Sequence, residues 1–137
     1  MIYQHIFEVK TKGREMLNIT PEVQAVVSVA NIEKGLCNIF LHHTSASLIL
    51  CENADITVQT DLNAFFNRLV PDGDQIFQHT AEGIDDMAAH VRTVLTQNSI
   101  SIPIMDDQID LGTWQGIYVW EHRLQGQDRR VSITILG

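Results

Sequence analysis

Apolar residues recur along the chain with two different periods, which predict strands interleaved with three helices. Apolar residues spaced three and four apart indicate helices that begin near Thr20, Asp55 and Asp85. Alternating apolar and polar residues predict strands over segments 2–10, 14–19, 36–43, 46–51, 100–105, 108–111, 116–123 and 129–136. The first two strands are expected to pair as a hairpin around Lys12 and Gly13.

Each predicted helix has a start signal and one apolar face. Thr20 is expected to cap the first helix, and Pro21 suits its first turn because an N–H there has no intrahelical partner. Asp55 is expected to cap the second helix, and the third covers residues 85–97. The positions expected to face the core are Val23, Val26, Val27, Ala30, Val58, Leu62, Phe65, Phe66, Leu69, Met87, Ala88, Val91, Val94 and Leu95.

The order of these elements indicates the fold class. The strands follow one another with turn signals such as Gln125 and Gly126, rather than in strict alternation with helices. We therefore predict an α+β fold, a largely antiparallel β-sheet or sandwich packed with about three helices. A chain of 137 residues, of which 45% are hydrophobic, is long enough for one core and too short for two, so residues 1–137 are expected to form a single domain.

Composition limits the classes of partner. Nine basic residues face 17 acidic ones, a net charge of -8 that repels nucleic acid. No segment has the length of a membrane span, and the N-terminus does not look like a signal peptide, so we expect a cytoplasmic location. Cys37 and Cys51 are expected to be reduced core residues. A small phosphorylated metabolite is still a possible partner, because one pair of arginines is enough to bind it. Arg129 and Arg130 are such a pair, and the alternative is that both are simply solvated.

Histidines and acids form the first candidate site. His79 and Glu82 lie on a predicted loop, and Asp86 and His90 lie one turn apart on the next helix. His43 ends a core-facing strand and can join them. Three imidazoles and a carboxylate suit a divalent metal such as zinc, with a position open for substrate. The spacing matches no dedicated zinc motif. The alternative is that Asp86 and His90 form a surface pair on the helix, that His79 is a solvated loop residue, and that His43 is a hydrogen-bonded residue at a strand end.

Hydroxyls and two further acids form the second set of candidates. Thr44 and Ser45 lie at a turn between strands, where their hydroxyls bind an oxyanion or satisfy the turn backbone. Glu52 follows a strand and has no expected capping role, which favours a functional one. Glu121 ends an apolar strand face, either as a charge at the rim or as an acid or base.

The segment 112–116 is the most specific local pattern. Gly112 and Gly116 bracket Trp114 and Gln115 just before an apolar run. Because glycine adopts backbone angles that other residues avoid, we expect a tight bend that holds the indole and the amide at a strand start. The alternative is a glycine turn with a packed Trp.

Taken together, these motifs resemble the YjbQ family, also called the UPF0047 family and sometimes named secondary thiamine-phosphate synthase. The motifs that carry the resemblance occur in the order His43-Thr-Ser-Ala-Ser, Glu52-Asn-Ala-Asp55, His79-x-x-Glu82-Gly83, Asp86, His90 and Gly112-Thr-Trp-Gln-Gly116. The resemblance covers nearly the whole chain. It implies a homotrimer of α+β subunits that can join a pyrimidine diphosphate to a thiazole phosphate, giving thiamine phosphate.

Matched onto this chain, the resemblance assigns roles within a His-rich pocket. The expected metal ligands are His43, His79 and His90, and zinc is the expected metal. The expected catalytic acids are Glu52, Asp86 and Glu121. The expected substrate-binding residues are Thr44, Ser45, Trp114, Gln115 and Arg130. Two alternatives stay open: metal-dependent hydrolysis of another substrate, and metal or metabolite binding without turnover. The reasons are that a three-His site suits zinc better than Mg²⁺ and that the chain lacks a Gly-rich phosphate loop.

Two positions depart from the family pattern. Asp107 stands where the family usually has glycine, and Cys51 stands where it often has asparagine. Since Asp tolerates left-handed turn conformations, we expect the hairpin at Asp107 to be kept.

Overall fold

Eight strands form two antiparallel sheets, and three helices accompany them, in a computed structural model that describes residues 1–137. The strands are β1 (Ile2–Lys10), β2 (Met16–Asn18), β3 (Lys34–Leu41), β4 (Ala46–Glu52), β5 (Ser99–Met105), β6 (Gln108–Ile109), β7 (Gln115–Glu121) and β8 (Asp128–Leu136). The helices are α1 (Thr20–Ala30), α2 (Ile56–Leu69) and α3 (Asp86–Leu95), and none is long and apolar enough to cross a membrane. The sheets have the orders β1-β8-β3-β5-β6 and β2-β7-β4, which confirms the predicted α+β class.

The predicted hairpin between the first two strands is wrong. β1 pairs with β8 along its whole length, and β2 pairs with β7 in the other sheet. Gly13, at φ 138°, lies in the connection that takes the chain from one sheet to the other. A turn signal indicates where a strand ends, but the partner is selected by a matching edge elsewhere in the fold.

The core lies between the two sheets. Alternation along β3 correctly predicts that Cys37, Ile39 and Leu41 are fully buried there. Both cysteines are free, and burial raises the pKa of the Cys37 thiol to about 11, so it is an inert core residue as expected.

β7 is buried on both faces. Its residues Ile117 and Val119 belong to the core between the sheets, whereas Trp120 faces α2. The Trp120 ring packs on Phe66 at a centroid distance of 4.8 Å, and its Nε1 donates to Asn63 at 3.2 Å. The three-stranded sheet therefore separates the sheet–sheet core from a helix layer.

Of the two capping residues predicted from the sequence, the structure confirms one. The four apolar residues expected on α1 are buried, but Thr20 does not cap it. Its Oγ1 instead accepts a hydrogen bond from the Ile117 N–H at 2.8 Å, which fastens α1 to β7. Asp55 does cap α2, because it accepts from the Thr57 N–H at 2.9 Å.

The predicted apolar faces of α2 and α3 need correction. None of the α2 residues is buried, and Phe65 and Leu69 are each 54% exposed. On α3, Val94 is 82% exposed while Arg92 is buried. Arg92 donates to the Val70 carbonyl at 3.1 Å, so the buried side of α3 holds a polar contact that periodicity cannot predict.

The β5–β6 hairpin confirms the expectation for Asp107. Asp106 and Asp107 have φ values of 51° and 61°, the left-handed region that a tight two-residue hairpin turn requires. Aspartate therefore replaces the usual glycine without loss of the turn.

A buried histidine lies between the three-stranded sheet and α3. His122 has no exposed surface, and its Nε2 lies 2.8 Å from the Ser47 Oγ. Its Nδ1 has no hydrogen-bond partner. Burial, followed by the positive charges of Arg92, Arg14 and Arg129, lowers the pKa of His122 to about 3.

This histidine is expected to make the fold acid-sensitive. Below the ordinary histidine pKa of about 6.5, an unfolded chain binds a proton at His122 that the folded chain does not. The stability it contributes is therefore complete above that pH and falls as the pH drops toward 3, by about 2 kcal/mol between pH 7 and pH 5. Urea unfolding at both pH values should show a smaller pH dependence for His122→Gln than for His5→Gln, which alters an exposed histidine on β1. An equal dependence in both variants contradicts the assignment.

Candidate metal centre

Three of the residues singled out from the sequence meet at the start of α3. Asp86 is the first residue of α3, and His90 lies one turn later on the same flank. His79 reaches them from the preceding loop. Its Nε2 lies 2.8 Å from the Asp86 Oδ2, and the His90 Nε2 lies 3.4 Å from the same oxygen. One ligand atom from each residue falls within 4.8 Å of the others.

The geometry of this His–Asp cluster fits a small divalent metal. Zinc ligands at about 2.0–2.1 Å in a tetrahedron are about 3.3 Å apart, and the two histidine nitrogens lie 2.8 and 3.4 Å from the Asp86 Oδ2. The His90 Nδ1 donates to the Thr44 carbonyl at 2.9 Å, which leaves Nε2 as the lone-pair nitrogen facing Asp86. Two imidazoles and a carboxylate are a donor set that zinc and related ions accept.

Arg123 holds the acidic side of the cluster, and sequence reasoning missed it. Its Nη1 lies 3.2 Å from the Asp86 Oδ1, and its Nε donates to the Asp85 Oδ2 at 3.0 Å. Its Nη2 donates to the Glu82 carbonyl at 2.9 Å. Burial alone raises the pKa of Asp85, but hydrogen bonds from Arg123 and the Leu124 N–H lower it overall. Two adjacent acids at a helix start were the available signal, and it was not specific, because a helix N-terminus favours acids without a cation.

A loop over residues 73–84 encloses a cavity of about 330 Å³ beside the cluster. Gly73 donates its N–H to the Ile84 carbonyl at 2.9 Å, which closes the base of the loop. Gly73 and Gly83 have φ values of 65° and 109°, which other residues rarely adopt. Nine residues line the cavity: Gly73, Asp74, Gln75, Phe77, His79, Thr80, Gly83, Ile84 and Met87. His79 thus belongs to both the cluster and the cavity wall.

The structure does not bring His43 into the cluster. Its Nε2 accepts a hydrogen bond from the Arg130 N–H at 2.7 Å. The Asn98 amide donates to the His43 carbonyl at 2.9 Å. Burial, followed by the charge of Arg129, lowers the pKa of His43. This is the geometry of the alternative considered above, a hydrogen-bonded histidine at a strand end.

Glu121 lies in a buried ion-pair network. It has no exposed surface and pairs with Arg129, whose Nε lies 2.8 Å from Oε1. Thr11 donates its hydroxyl to the same oxygen at 2.6 Å, and the Arg123 N–H donates to Oε2 at 3.1 Å. Arg129 also donates to the Ser45 hydroxyl at 3.0 Å. These contacts give Glu121 and Ser45 positioning roles in the fold.

The two adjacent arginines do not act as a pair. Arg129 is buried and Arg130 is exposed, because successive side chains of β8 point to opposite sides of the sheet. Only Arg130 is available to a dissolved ligand.

Glu52, Trp114 and Gln115 lie at the opposite end of the β4–β7 ladder from the Thr44 turn. Glu52 pairs with Gln115, whereas Ala46 pairs with Glu121. The length of β4 puts the two ends about 20 Å apart. The structure thus separates the predicted site residues into two groups within one chain.

Glu52 has a structural contact that the sequence interpretation missed. Its Oε2 accepts a hydrogen bond from the Asp55 N–H at 2.7 Å, at the start of α2. The expectation that Glu52 has no role at this helix terminus is therefore wrong. An acid three residues before a capping residue was the available signal.

The bend at residues 112–116 is built differently from the expectation. Neither Gly112 nor Gly116 has a positive φ. The Gln115 Oε1 accepts from the Gly112 N–H at 2.8 Å, and a Cβ at Gly116 would lie 2.7 Å from the Tyr118 ring. The second glycine is thus required by close approach of a ring. Trp114 is 62% exposed and available for contact.

The fold and the site together define a small α+β protein with a His–Asp cluster beside an open cavity. A family model described as UPF0047 protein YjbQ-like matches residues 5–137. The chain belongs to this YjbQ-like UPF0047 family, which confirms the resemblance found in its motifs.

Relatives and solved structures agree over nearly the full length. The chain is 45% identical to the UPF0047 protein sll1880 of Synechocystis sp., over 98% of this chain and 92% of that protein. It is 38% identical to the UPF0047 protein YjbQ of Escherichia coli O157:H7, over 100% and 99% of the two chains. A crystal structure of a YjbQ/UPF0047 family protein from Clostridium acetobutylicum matches with a TM-score of 0.88 at 30% identity, over 96% and 99% of the chains.

Proposed function

We propose that this chain binds one divalent metal, zinc, through His79, Asp86 and His90, and that it uses the site to act on a small phosphorylated molecule. The observation that carries the proposal is the convergence of three ligand atoms, with the His90 tautomer set by the Thr44 carbonyl. Asp86 is the one predicted acid that belongs to this cluster. His43 contributes nearby structure in this proposal and is not a ligand from the same chain.

Charge explains why a phosphorylated ligand needs the metal. The cluster and its loop carry the acids Asp74, Glu82, Asp85 and Asp86. Arg123 is the cation that pairs with two of these acids, Asp85 and Asp86. A bound zinc ion supplies positive charge to a phosphoryl oxygen or a diphosphate leaving group. The reaction proposed from the resemblance, joining a pyrimidine diphosphate to a thiazole phosphate, releases such a leaving group.

Metal-dependent hydrolysis is the second candidate, and the donor set favours it. Three protein ligands leave a fourth zinc position for water, the arrangement typical of hydrolytic zinc sites. Glu52 and Glu121 are held in structural contacts, so neither is assigned as the base.

Cobalt titration followed by product analysis tests the proposal. Co²⁺ should bind with one ion per chain, give the visible absorption of a tetrahedral site and be displaced by Zn²⁺. The zinc-loaded protein is then given both phosphorylated substrates. Thiamine phosphate together with pyrophosphate identifies the transferase, whereas free phosphates without thiamine phosphate identify a hydrolase. Absence of metal binding at micromolar protein contradicts the proposal.

We also propose that the homotrimer implied by the resemblance forms through the outer face of the five-stranded sheet. Its central outward positions carry no charge, in a chain whose net charge is -8. Phe40 and Leu36 remain 42% and 39% exposed there. Two neighbouring copies around a three-fold axis can cover these residues, each through a different part of the face, without burying an unpaired charge at its centre. The register places on the uncharged part of this face Ile2, Gln4, Ile6, Leu36, Asn38, Phe40, Ser99, Ser101, Pro103, Ser132, Thr134 and Leu136, and it places the charged residues Glu8, Lys10, Lys34, Asp128 and Arg130 at its ends.

Light scattering after size exclusion measures this association. The native chain should elute with about three times the mass of one subunit, and Phe40→Glu should dissociate it because a charge would be buried at the contact. Val94→Glu, which alters an exposed residue on α3, should leave the mass unchanged. A native monomer at micromolar concentration overturns the assembly.

A further inference from the structure

We propose that the cavity under the 73–84 loop is a subsite for a positively charged ring that carries N–H donors, with Asp74 as its counter-ion. The subsite rests on the proposed function in one respect, which is that the metal lies at the cavity wall. His79 belongs both to the proposed metal ligands and to that wall.

The size of the cavity suits a substituted ring. A cavity of about 150 Å³ in another protein holds benzene. The volume here is about 330 Å³, so a six-membered ring with substituents fits and leaves room toward the His–Asp cluster.

The lining selects the chemistry of that ring. Phe77, Ile84 and Met87 provide apolar surface, and methionine adapts its shape to a ring edge. Asp74 is the one acid on the wall, and no Lys or Arg lines the cavity. Asp74 forms no ion pair within the chain, and its Oδ1 accepts from the Ile76 N–H at 3.0 Å, which orients the carboxylate. Its second oxygen remains for a ligand donor.

The surrounding charges point the same way. Glu82, Asp85 and Asp86 lie at the end of the loop and the start of α3, where Arg123 pairs with the carboxylates of Asp85 and Asp86 and donates to the Glu82 backbone carbonyl. A cation entering the cavity meets a net negative environment, whereas an anion is repelled except at the metal.

The loop itself is built to admit a ligand. Residues 74–81 have two hydrogen bonds to the rest of the chain, one between His79 and Asp86 and one in which the Thr80 carbonyl accepts from the Gly83 N–H. Glycines with positive φ stand near both ends of the loop. Such compact surface loops with adjacent ends are frequently functional.

A matched set of probes tests the subsite in the full-length, zinc-loaded protein. Benzamidine, benzamide and benzoate have similar size and differ in charge. In amide NMR titrations, benzamidine should shift the signals of residues 73–87 and bind roughly fivefold more tightly than benzamide. Benzoate should shift only the signals next to His79 and His90, where it contacts the metal.

Asp74→Asn isolates the counter-ion, because an asparagine oxygen can still accept the Ile76 N–H. This variant should bind benzamidine and benzamide equally. Asp61→Asn removes an exposed charge on α2 and should keep the fivefold preference. An unchanged preference in Asp74→Asn, or equal loop shifts from benzamidine and benzoate, overturns the subsite.

The two proposals fail separately. If cobalt does not bind but benzamidine still shifts the loop in a manner that depends on Asp74, the metal proposal fails and the subsite stands. If cobalt binds and Asp74→Asn changes nothing, the subsite fails and the metal proposal stands.

Discussion

Replacing His90 with glutamine is expected to weaken zinc binding by about a hundredfold. Structural zinc sites of four ligands are worth about 10–16 kcal/mol, so one ligand is worth about 3 kcal/mol, which corresponds to that factor. The substitution removes both the Nε2 that faces Asp86 and the Nδ1 that donates to the Thr44 carbonyl. Competition between Zn²⁺ and a coloured chelator measures the change.

The control for this variant is an exposed histidine away from the cluster. His5→Gln alters a side chain on β1 that stacks on Phe7. It should leave zinc affinity and product formation unchanged. If His90→Gln binds zinc as tightly as the native chain, the ligand set proposed for this site is incorrect.

The largest loss of stability is expected for Glu121→Gln. This change leaves Arg129 buried without its charge partner, and breaking a buried ion pair on one side costs about 3–5 kcal/mol. Arg129 is 5% exposed at its side chain and cannot recover the loss by reaching solvent. The free energy of unfolding in urea should fall by this amount.

Two comparisons separate the ion pair from a general charge effect. Glu8→Gln removes an exposed charge from β1, opposite Arg130, and should change stability by less than about 1 kcal/mol. The double variant Glu121→Leu with Arg129→Met should be more stable than Glu121→Gln alone, because no unpaired charge remains buried. A loss below about 1 kcal/mol for Glu121→Gln would show that Arg129 finds another partner.

Local spacing predicted the core of the candidate site. Asp86 and His90 are four residues apart, and a helix places such residues on one flank whatever surrounds it. His79 precedes that helix by a short loop, so its approach to Asp86 at 2.8 Å follows from the same local arrangement. The inward face of β3 and the Asp55 cap are also local properties, and both predictions are confirmed.

Local spacing could not predict contacts between segments that lie far apart in the sequence. Arg123 approaches Asp86, and Arg129 approaches Glu121, because sheet pairing and helix docking bring their segments together. The order of the motifs along the chain likewise does not indicate how far apart they lie in space. Glu52 and Gln115 lie together at one end of β4 and β7, about 20 Å from the Thr44 turn.

By itself the sequence determined the α+β class, the helices, the inward face of the strands and the His–Asp spacing, since each depends on residues a few positions apart. Only the tertiary structure decided the partners of β1 and β2, the ion-pair role of Glu121 and the place of His43 outside the cluster. The physical reason is that edge matching and charge pairing involve long-range contacts, which single-chain periodicity does not record.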